Sequence, residues 1–345
     1  MTTDTINESL PLSAQLIRMS YGFMYTKLVY TAASLNLGER LASPRSAHEL
    51  AGELGLQAGF LYRLLRALAG EGILTEVAEG VFGLTDMGRC LHPDHPDNAH
   101  ASILASCSPA VIAAWDKLPE VLAHGGVGFE LAFGKGWFEW LSEHPELSAQ
   151  FNKSMAGVFG MEPECVADAY DFSVFASIID VGGGNGSLLS RILDRYQGPR
   201  GLVFDQAHVV EEARRLLAER GLSGRIKTQA GDFFEFIPAG FNACILSHVI
   251  HDWDDEEAVR ILANCKKAIN ADGRLLILEW VLPEGDTPHV AKVVDINMMM
   301  LMGGEERTGT QYGRLLERAG LRLNRIIATG CECSIIEAVP AKTSA

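Results

Sequence analysis

The side chains best suited to proton transfer in this sequence are a histidine and two glutamates. His251 lies in the run His-Asp-Trp after an apolar segment, and a neutral imidazole is well matched to accepting a proton near pH 7. A lone histidine in such a place is more often structural. Glu279 ends the next apolar segment, and Glu306 lies in Gly-Gly-Glu-Glu-Arg-Thr. Because a carboxylate fixes the imidazole tautomer and raises its basicity, the two glutamates favour a general base.

A glycine-rich turn indicates a ligand site earlier in the chain. The apolar segment 178–181 is followed by glycines that include Gly182 and Gly184. Counted from Gly182, the sixth position is Ser187, so the fingerprint of a pyrophosphate-binding turn is incomplete. The acidic Asp180 repels phosphate and suits a cation, such as a sulfonium with an α-amino group. A tight turn without a ligand is the alternative interpretation.

Two more carboxylates follow apolar segments. Asp205 lies 23 residues after Gly182, near the spacing at which an acid accepts the hydroxyls of a ribose. Its alternative role is to cap the following helix. Asp232 and Phe233 offer a carboxylate and an aromatic face, which suit the edge and the plane of an adenine. Together with the glycine turn, these residues predict a nucleoside site.

The segments that carry these residues alternate between strands and helices. The pattern predicts strands at 178–181, 201–205, 225–230, 242–247 and 274–279, with helices after Gly186 and at 209–220 and 255–269. Such alternation predicts a parallel sheet with right-handed crossovers. Ligands bind beyond the carboxyl ends of the strands in these sheets, and every residue singled out above lies at such an end.

The first hundred residues predict a winged helix. Apolar residues recur at helical spacing over 10–41, which indicates a face covered by a partner subunit. A capping box from Ser46 to Glu49, an apolar-faced helix and a hairpin over 73–84 follow. Arg63 and Arg66 are the basic residues of the would-be recognition helix, too few for phosphate contacts. A packing or dimerisation module is therefore favoured over DNA binding.

Composition limits the partners and the compartment. The chain has 345 residues, enough for two domains, and a net charge of −15, which argues against nucleic acid and anionic membranes. Its seven cysteines include no Cys-x-x-Cys pair, so reduced thiols are expected and zinc is not. A signal-peptide pattern and an apolar run of 18 residues are both absent, which predicts a cytoplasmic protein. The expected division is 1–100, a helical connector at 101–175, and 176–345.

Six motifs in one order carry a resemblance to a known family. They are Asp-Val-Gly-Gly-Gly-Asn-Gly, Phe204-Asp205, Gly-Asp-Phe-Phe, His-Asp-Trp, Glu-Trp-Val-Leu-Pro and Gly-Gly-Glu-Glu-Arg-Thr. The chain resembles the S-adenosylmethionine-dependent O-methyltransferases of the acetylserotonin/caffeic-acid type over nearly its whole length. The resemblance implies a Rossmann-like class I methyltransferase domain with a mostly parallel sheet whose last strands are antiparallel. It also implies that the N-terminal winged helix is a dimerisation domain.

The resemblance also implies roles for individual residues. His251 matches the general base, and Glu279 and Glu306 match the acids that flank it. The implied cofactor-binding residues are Gly182, Gly184, Asp205, Gly231, Asp232, Phe233, Ser247 and Trp253. Ser247, followed by His248, stands where plant members often carry a lysine. The implied acceptor-binding residues are Met155, Phe159, Asp252, Asn297, Met298 and Met302.

The resemblance thus implies methyl transfer from S-adenosylmethionine to a hydroxyl of an aromatic or polyketide-like molecule. S-Adenosylhomocysteine is the implied product and a homodimer the implied assembly. Metal-dependent catechol methylation needs clustered Asp and Asn ligands, and no such cluster stands out in the sequence, so no metal is expected. One alternative is a relative that uses the cofactor for hydroxylation or decarboxylation. A DNA-binding regulator is the alternative from another class.

Overall fold

The computed structural model describes residues 10–158 and 161–341. The chain divides into two compact units, Met1–Ile112 with Phe138–Val158 and Ala113–Trp137 with Phe159–Ala345. The helices Pro109–Trp115 and Trp137–Glu143 contain points at which the chain passes from one unit to the other. In the described ranges, no helix combines the length and the apolar character needed to cross a bilayer.

The first unit contains the capping box and the hairpin that the sequence predicts. Ser46 Oγ accepts from Glu49 N at 3.2 Å, and Ser46 N donates back to the Glu49 carboxylate at 3.1 Å. The predicted hairpin pairs β2 (Leu74–Ala78) with β3 (Val81–Leu84), which also pairs with β1 (Arg45–Ser46). The helices are Leu12–Ser20, Gly22–Ser34, Leu37–Arg40, Ala47–Leu54, Ala58–Gly70, Asp86–Arg89, His100–Ser106 and Pro145–Val158.

The described residues of the second unit form a seven-stranded sheet of order β11-β12-β8-β7-β4-β5-β6. The strands β4 to β8 are mutually parallel, whereas β12 pairs antiparallel with both β8 and β11. The predicted mostly parallel sheet with antiparallel last strands is therefore confirmed. The strands are Ser177–Val181 (β4), Arg200–Asp205 (β5), Ile226–Ala230 (β6), Phe241–Ser247 (β7), Ile269–Glu279 (β8), Leu321–Ala328 (β11) and Ser334–Pro340 (β12); the short strands Val281–Leu282 (β9) and Arg307–Thr308 (β10) pair separately.

Helices separate most of the parallel strands, as the sequence predicts: Ser187–Arg195, Ala207–Glu219 and Asp255–Ala268 follow β4, β5 and β7, whereas no helix lies among the described residues between β6 and β7. The other helices of the second unit are Leu118–His124, Gly128–Phe133, Glu162–Ala169, Ala291–Leu301 and Gly309–Arg318, with 3₁₀ turns at Phe172–Val174 and Ile250–Asp252. One boundary was predicted wrongly. Residues 270–273 were expected to end the helix before a strand at 274, but β8 begins at Ile269. The helix ends at Ala268, one residue before its predicted end, so the error concerns only the start of the strand. The pairing of β8 with β7 shifts between Ile269 and Arg274, so the intervening residues bulge from the strand.

The central strands β4, β7 and β8 are buried on both faces, which explains their continuous apolar stretches. Ile178 packs into one core cluster and Ile179 into the other, because successive side chains of a strand point to opposite faces. Because β4, β5, β7 and β8 are parallel neighbours, their carboxyl ends lie side by side along one edge of the sheet.

Candidate active site

His251 lies beside both predicted carboxylates. Its Nδ1 is 3.0 Å from Glu306 Oε1 and 3.3 Å from Glu279 Oε2, while its Nε2 is 3.5 Å from Asp252 Oδ1. Both glutamates are buried, at 0% and 2% exposure. Because the carboxylates gather at Nδ1, that nitrogen carries the hydrogen, and Nε2 is the nitrogen available to a hydroxyl group.

The charge around His251 favours the protonated ring, so the neutral form that can accept a proton is the minor form of the ligand-free chain at pH 7. Burial of the ring lowers its pKa, but the carboxylates of Glu279, Asp252 and Glu306 outweigh burial and raise that pKa to about 10. Burial also raises the pKa of Glu279, although both neighbouring histidines oppose the change. A phenol has a pKa of about 10, so proton transfer from a phenolic hydroxyl to this imidazole is close to balanced.

Glu279 also shapes the loop that carries the histidine. Its Oε1 accepts from the backbone N–H groups of Val249, Ile250 and His251, at 3.2, 2.9 and 3.3 Å. A buried carboxylate that accepts several amide hydrogens is well stabilised as an anion. The glutamate at the end of β8 therefore sets the backbone after β7 as well as the imidazole.

Arg307 joins the two loops of the site. This buried guanidinium donates to the carbonyls of Ile250, Trp253 and Glu305 at 3.0–3.2 Å and to Asp255 at 2.9 Å. Its five N–H groups allow one side chain to satisfy all these acceptors. The His251 loop and the Glu306 loop are thereby held in one arrangement.

Gly304 lets these loops approach each other. A Cβ at Gly304 would collide with the carbonyl oxygen of His251, so no other residue fits without displacement. The neighbouring Glu305 N donates to that same carbonyl at 2.9 Å, and Glu306 N donates to Asp295 Oδ1 at 2.9 Å. The glycine pair that the sequence shows before Glu306 thus has a packing reason.

The glycine turn after β4 has an open, left-handed backbone. Gly182 and Gly184 have φ of +69° and +56°, values that glycine adopts at little cost. A Cβ at Gly182 would meet Val249 Cγ2 at 2.8 Å, whereas one at Gly184 would meet nothing within 4 Å. The turn therefore packs against the histidine loop on one side and leaves open space on the other.

Asp205 braces the glycine turn. Its Oδ2 accepts from Gly184 N at 2.9 Å, and its Oδ1 accepts from Gln206 N at 2.6 Å. A carboxylate has about four lone-pair sites, so each oxygen can accept one more hydrogen bond. Asp205 can hence hold the turn and still accept from two ribose hydroxyls.

Asp180 lies buried beneath the same turn. Both of its oxygens lack a hydrogen-bond partner in the described structure, and the residue is 1% exposed. Burial, reinforced by the charge of Asp205, raises the pKa of Asp180 to about 7. A buried carboxylate without a partner is stabilised by a nearby cation, which fits a positively charged ligand at this turn.

The predicted adenine site lies after β6. Asp232 is exposed and its Oδ1 accepts from Phe234 N at 2.8 Å, so Oδ2 remains available. The Phe233 ring is half-buried and lies 6.0 Å from the Trp253 ring, nearly at right angles. Gly231 packs where a Cβ would collide with Phe204, and Ser247 ends β7 half-buried.

The predicted acceptor residues are placed unevenly. Asn297 Oδ1 accepts from the indole N–H of Trp115 at 3.0 Å, which turns the amide nitrogen away from that ring. Met298 is buried and Met302 is half-buried, at the end of the helix that also carries Asn297. Met155 belongs to the first unit, and Phe159 lies outside the described residues.

A further pair beside the site escaped the sequence analysis. His248 Nε2 lies 2.6 Å from Glu162 Oε2, and His248 Nδ1 lies 3.6 Å from Glu279 Oε2. The sequence places His248 near the cofactor, but nothing in it indicates Glu162. Cys333 completes a group whose ligand atoms lie within 4.8 Å of one another. Two ligands of one zinc ion lie about 3.3 Å apart, from bonds near 2.0 Å, so 2.6 Å matches a hydrogen bond instead.

The site as a whole has the parts of a nucleoside-dependent group transferase. A glycine turn, a ribose acid and an unpaired buried carboxylate adjoin a histidine base at the carboxyl edge of one sheet. Residues 115–322 match the O-methyltransferase domain, and residues 17–94 match the O-methyltransferase dimerisation domain.

Relatives match the chain along nearly its whole length. The phenazine O-methyltransferase PhzM of Lysobacter antibioticus is 39% identical over 99% of this chain and 100% of its own. The mitomycin biosynthesis 6-O-methyltransferase of Streptomyces lavendulae is 35% identical over 90% of this chain and 89% of its own. NcsB1, crystallised with S-adenosylmethionine and 2-hydroxy-5-methyl naphthoic acid, is 32% identical in sequence. Its structure matches with a TM-score of 0.82 over 92% of this chain and 96% of its own.

The chain belongs to the O-methyltransferase family, and S-adenosylmethionine is its methyl donor. The predicted family, fold and cofactor are therefore confirmed. The match of the N-terminal residues to a dimerisation domain supports the predicted homodimer.

Proposed function

We propose that this enzyme methylates a hydroxyl group of an aromatic small molecule, with His251 as the general base. The observation that carries the proposal is the imidazole held through Nδ1 at 3.0 Å from Glu306 and 3.3 Å from Glu279, which leaves Nε2 for the acceptor. When bound, S-adenosylmethionine supplies a methyl carbon made electrophilic by the sulfonium. The task left to the chain is to deprotonate and orient the hydroxyl.

The residues around the histidine divide this task. Nε2 of His251 accepts the hydroxyl proton, and Glu279 and Glu306 stabilise the imidazolium that results. Asp252, 3.5 Å from Nε2, lies where it can orient the acceptor. Burial raises the pKa of Asp252 to about 6, with His251 opposing the change. Asn297, whose amide oxygen is engaged by Trp115, offers its amide hydrogens to an acceptor oxygen or nitrogen.

We assign the cofactor to the glycine turn and the strand ends beside it. Gly182, Gly184 and Asp180 suit the cationic methionine portion, and Asp205 suits the ribose. Gly231, Asp232 and Phe233 suit the adenine, with Ser247 and Trp253 at its border. The unpaired carboxylate of Asp180 and the open face of Gly184 support this assignment.

Fused-ring phenols are the acceptor class that we propose. PhzM is named for phenazine, and NcsB1 was crystallised with a naphthoic acid. Met298 and Met302 would supply apolar surface of the kind such rings need, and the acceptor roles of Met155 and Phe159 stay predictions of the resemblance. We also propose that the domains span 1–100, 101–175 and 176–345. We further propose a cytoplasmic location and no nucleic-acid or membrane partner.

Replacement of the histidine tests the proposal. His251→Ala should lower kcat by about 10²–10⁴-fold, the usual contribution of a general base. The affinity for S-adenosylmethionine, measured by calorimetry, should stay near the wild-type value because the turn and Asp205 are unchanged. Labelled methyl transfer to hydroxyphenazines, hydroxynaphthoic acids and simple phenols supplies the rate. The exposed His124→Ala is the control, and wild-type turnover in His251→Ala would contradict the assignment.

The enzyme should work without a metal ion. We expect incubation with a chelator to leave the rate of methyl transfer unchanged, because His251, Glu279 and Glu306 supply the base without a Lewis acid. The measurement compares chelated enzyme with and without added magnesium or zinc. Activity that is lost to the chelator and restored by either ion would overturn this prediction.

A further inference from the structure

Acidic and imidazole side chains alternate through the interior of the second unit. The order is Glu306, His251, Glu279, His248 and Glu162, and each side chain is at most 12% exposed. Successive polar atoms lie 3.0, 3.3, 3.6 and 2.6 Å apart. We propose that His248 and Glu162 extend the active site as a proton relay, which carries away the proton that His251 accepts. The inference rests on the proposed role of His251.

Glu279 Oε2 is the atom that connects the two imidazoles. It lies 3.3 Å from Nδ1 of His251 and 3.6 Å from Nδ1 of His248. This oxygen is buried and makes no hydrogen bond in the described structure, whereas Oε1 of the same side chain accepts three backbone amides. An unsatisfied buried carboxylate oxygen between two imidazoles is positioned to take a proton from either ring.

His248 is held in place at a cost. It is a non-glycine residue with a φ of +51°, an uncommon conformation outside glycine that asparagine, aspartate and histidine adopt more readily than other residues. Its backbone N donates to Leu278 O at 3.0 Å, which ties it to β8 beside Glu279. Such strain persists where the surrounding structure fixes a side chain for a purpose. Here that purpose is the position of the ring between Glu279 and Glu162.

Glu162 ends the described series. Its Oε2 lies 2.6 Å from His248 Nε2, and its Oε1 accepts from the Trp280 indole at 3.2 Å. These contacts fix the carboxylate while about 10% of its side chain is exposed, so a proton can pass from it to water. His251 is 12% exposed, but a bound acceptor covers the Nε2 side through which it receives the proton, so Glu162 is the member of the series left to exchange with water.

The proton balance of the relay is simple. The acceptor O–H bond breaks and an N–H bond forms at His251 Nε2, while Nδ1–H of the same ring passes to Glu279 Oε2. The proton then moves to His248 Nδ1, and the Nε2 hydrogen of that ring passes to Glu162. No oxidant or other reactant is needed. At the end both imidazoles are neutral with their hydrogen on the other nitrogen, so each ring must return to its first tautomer before the next turnover.

Acceptors that differ in acidity test the relay. A phenol from the panel above is compared with its dinitro analogue, which is already ionised at neutral pH and brings no proton. Rates are measured for the full-length enzyme and for His248→Gln, Glu162→Gln, His251→Ala and Glu164→Gln. Glu164 lies on the same helix as Glu162 and forms a surface ion pair with Arg191, so its substitution is the matched control.

With the un-ionised phenol, we expect kcat of His248→Gln and Glu162→Gln to fall about tenfold, a part of the contribution of a general base. With the ionised analogue, both variants should match the wild type, and Glu164→Gln should match it with both acceptors. Equal losses with both acceptors would show a structural role only, and no loss with the phenol would show no role; either result overturns the relay. If His251→Ala also turns over the phenol normally, the proposed base fails as well, so the two failures are distinguishable.

Discussion

Among single residues, Asp180 has surroundings that disfavour its charged form. Its carboxylate is buried without a hydrogen-bond partner, and Gly183 passes so close that a Cβ there would lie 2.7 Å from it. Burial raises the pKa of Asp180 from 3.8 to about 7. Between these values the folded protein holds a proton that the unfolded chain has lost, so stability falls as the pH rises through this window.

Asp180→Asn should remove this dependence. The amide has the same shape and no charge, so the variant should melt above the wild type at pH 8 and close to it at pH 4 in the absence of cofactor. A pKa raised by about three units corresponds to roughly 4 kcal/mol. Scanning calorimetry across this pH range is the measurement. A difference in melting temperature between variant and wild type that does not grow from pH 4 to pH 8 would contradict the prediction. Weaker binding of S-adenosylmethionine should accompany the gain in stability.

Glu306→Gln should weaken His251 as a base. The folded-state pKa of His251 is raised to about 10 because nearby carboxylates outweigh burial, so neutralising one of them must lower it. NMR titration of the histidine ring signals measures the pKa, with His251→Ala identifying the relevant signal. Glu305→Gln is the control, since that side chain accepts from Gln311 and not from His251. An unchanged or higher pKa in Glu306→Gln would refute the account.

At the scale of elements, the site depends on two loops joined by one arginine. Arg307 is 1% exposed and bonds to three carbonyls and Asp255, which span the loops after β7 and before β10. A lysine keeps the charge but cannot reach these acceptors as a planar fork.

Arg307→Lys should therefore lower both stability and turnover. Loss of a hydrogen bond to a charged group costs about 1.5–3 kcal/mol, and a displaced Glu306 loop should lower kcat more than it raises KM for the cofactor. Melting temperature and steady-state kinetics are the measurements. Arg318→Lys, an exposed arginine that also pairs with Asp255, should change neither. Wild-type stability and turnover of Arg307→Lys would mean that the loops hold their positions without the hydrogen bonds of the guanidinium.

The elements and their contacts differ in how far sequence predicts them. Apolar segments that end in Asp205, Ser247 and Glu279 predicted the strands, and the carboxyl-edge rule then brought the site residues together. The His248–Glu162 contact could not be predicted, because 86 residues separate the partners and helical periodicity over 101–175 does not reveal which helix meets the sheet. The bulge at 270–273 was missed because Asn-Ala-Asp-Gly is typical of a helix stop.

At the scale of the whole molecule, the N-terminal helices present an uncovered apolar face. Four large apolar side chains of this face are exposed: Leu12 at 80%, Leu16 at 68%, Met19 at 77% and Phe23 at 63%. Burial of apolar surface stabilises a protein by roughly 25 cal/mol per Å², so covering this face would be favourable. These residues fall in or beside the matched dimerisation domain, 17–94. A second copy of the chain is the partner that would cover them.

Leu16→Glu should shift the enzyme from dimer to monomer. A charge in the centre of an apolar interface is costly, because it loses its water without gaining a partner. Sedimentation velocity over a range of concentrations measures the assembly. Val174→Glu replaces an equally exposed apolar residue of the second unit, 67% exposed, and should leave the dimer intact. A Leu16→Glu protein that remains dimeric would place the interface elsewhere.

The fit between Gly304 and the His251 carbonyl has a consequence for how such enzymes diverge. The two segments are 53 positions apart in the chain, yet neither tolerates a change of backbone path in the other. A chimera that exchanged only one of them with a relative would combine two loops shaped for different neighbours. We therefore expect the span from Val249 to Thr308 to be exchanged as a whole, with the crossover points of viable chimeras outside it.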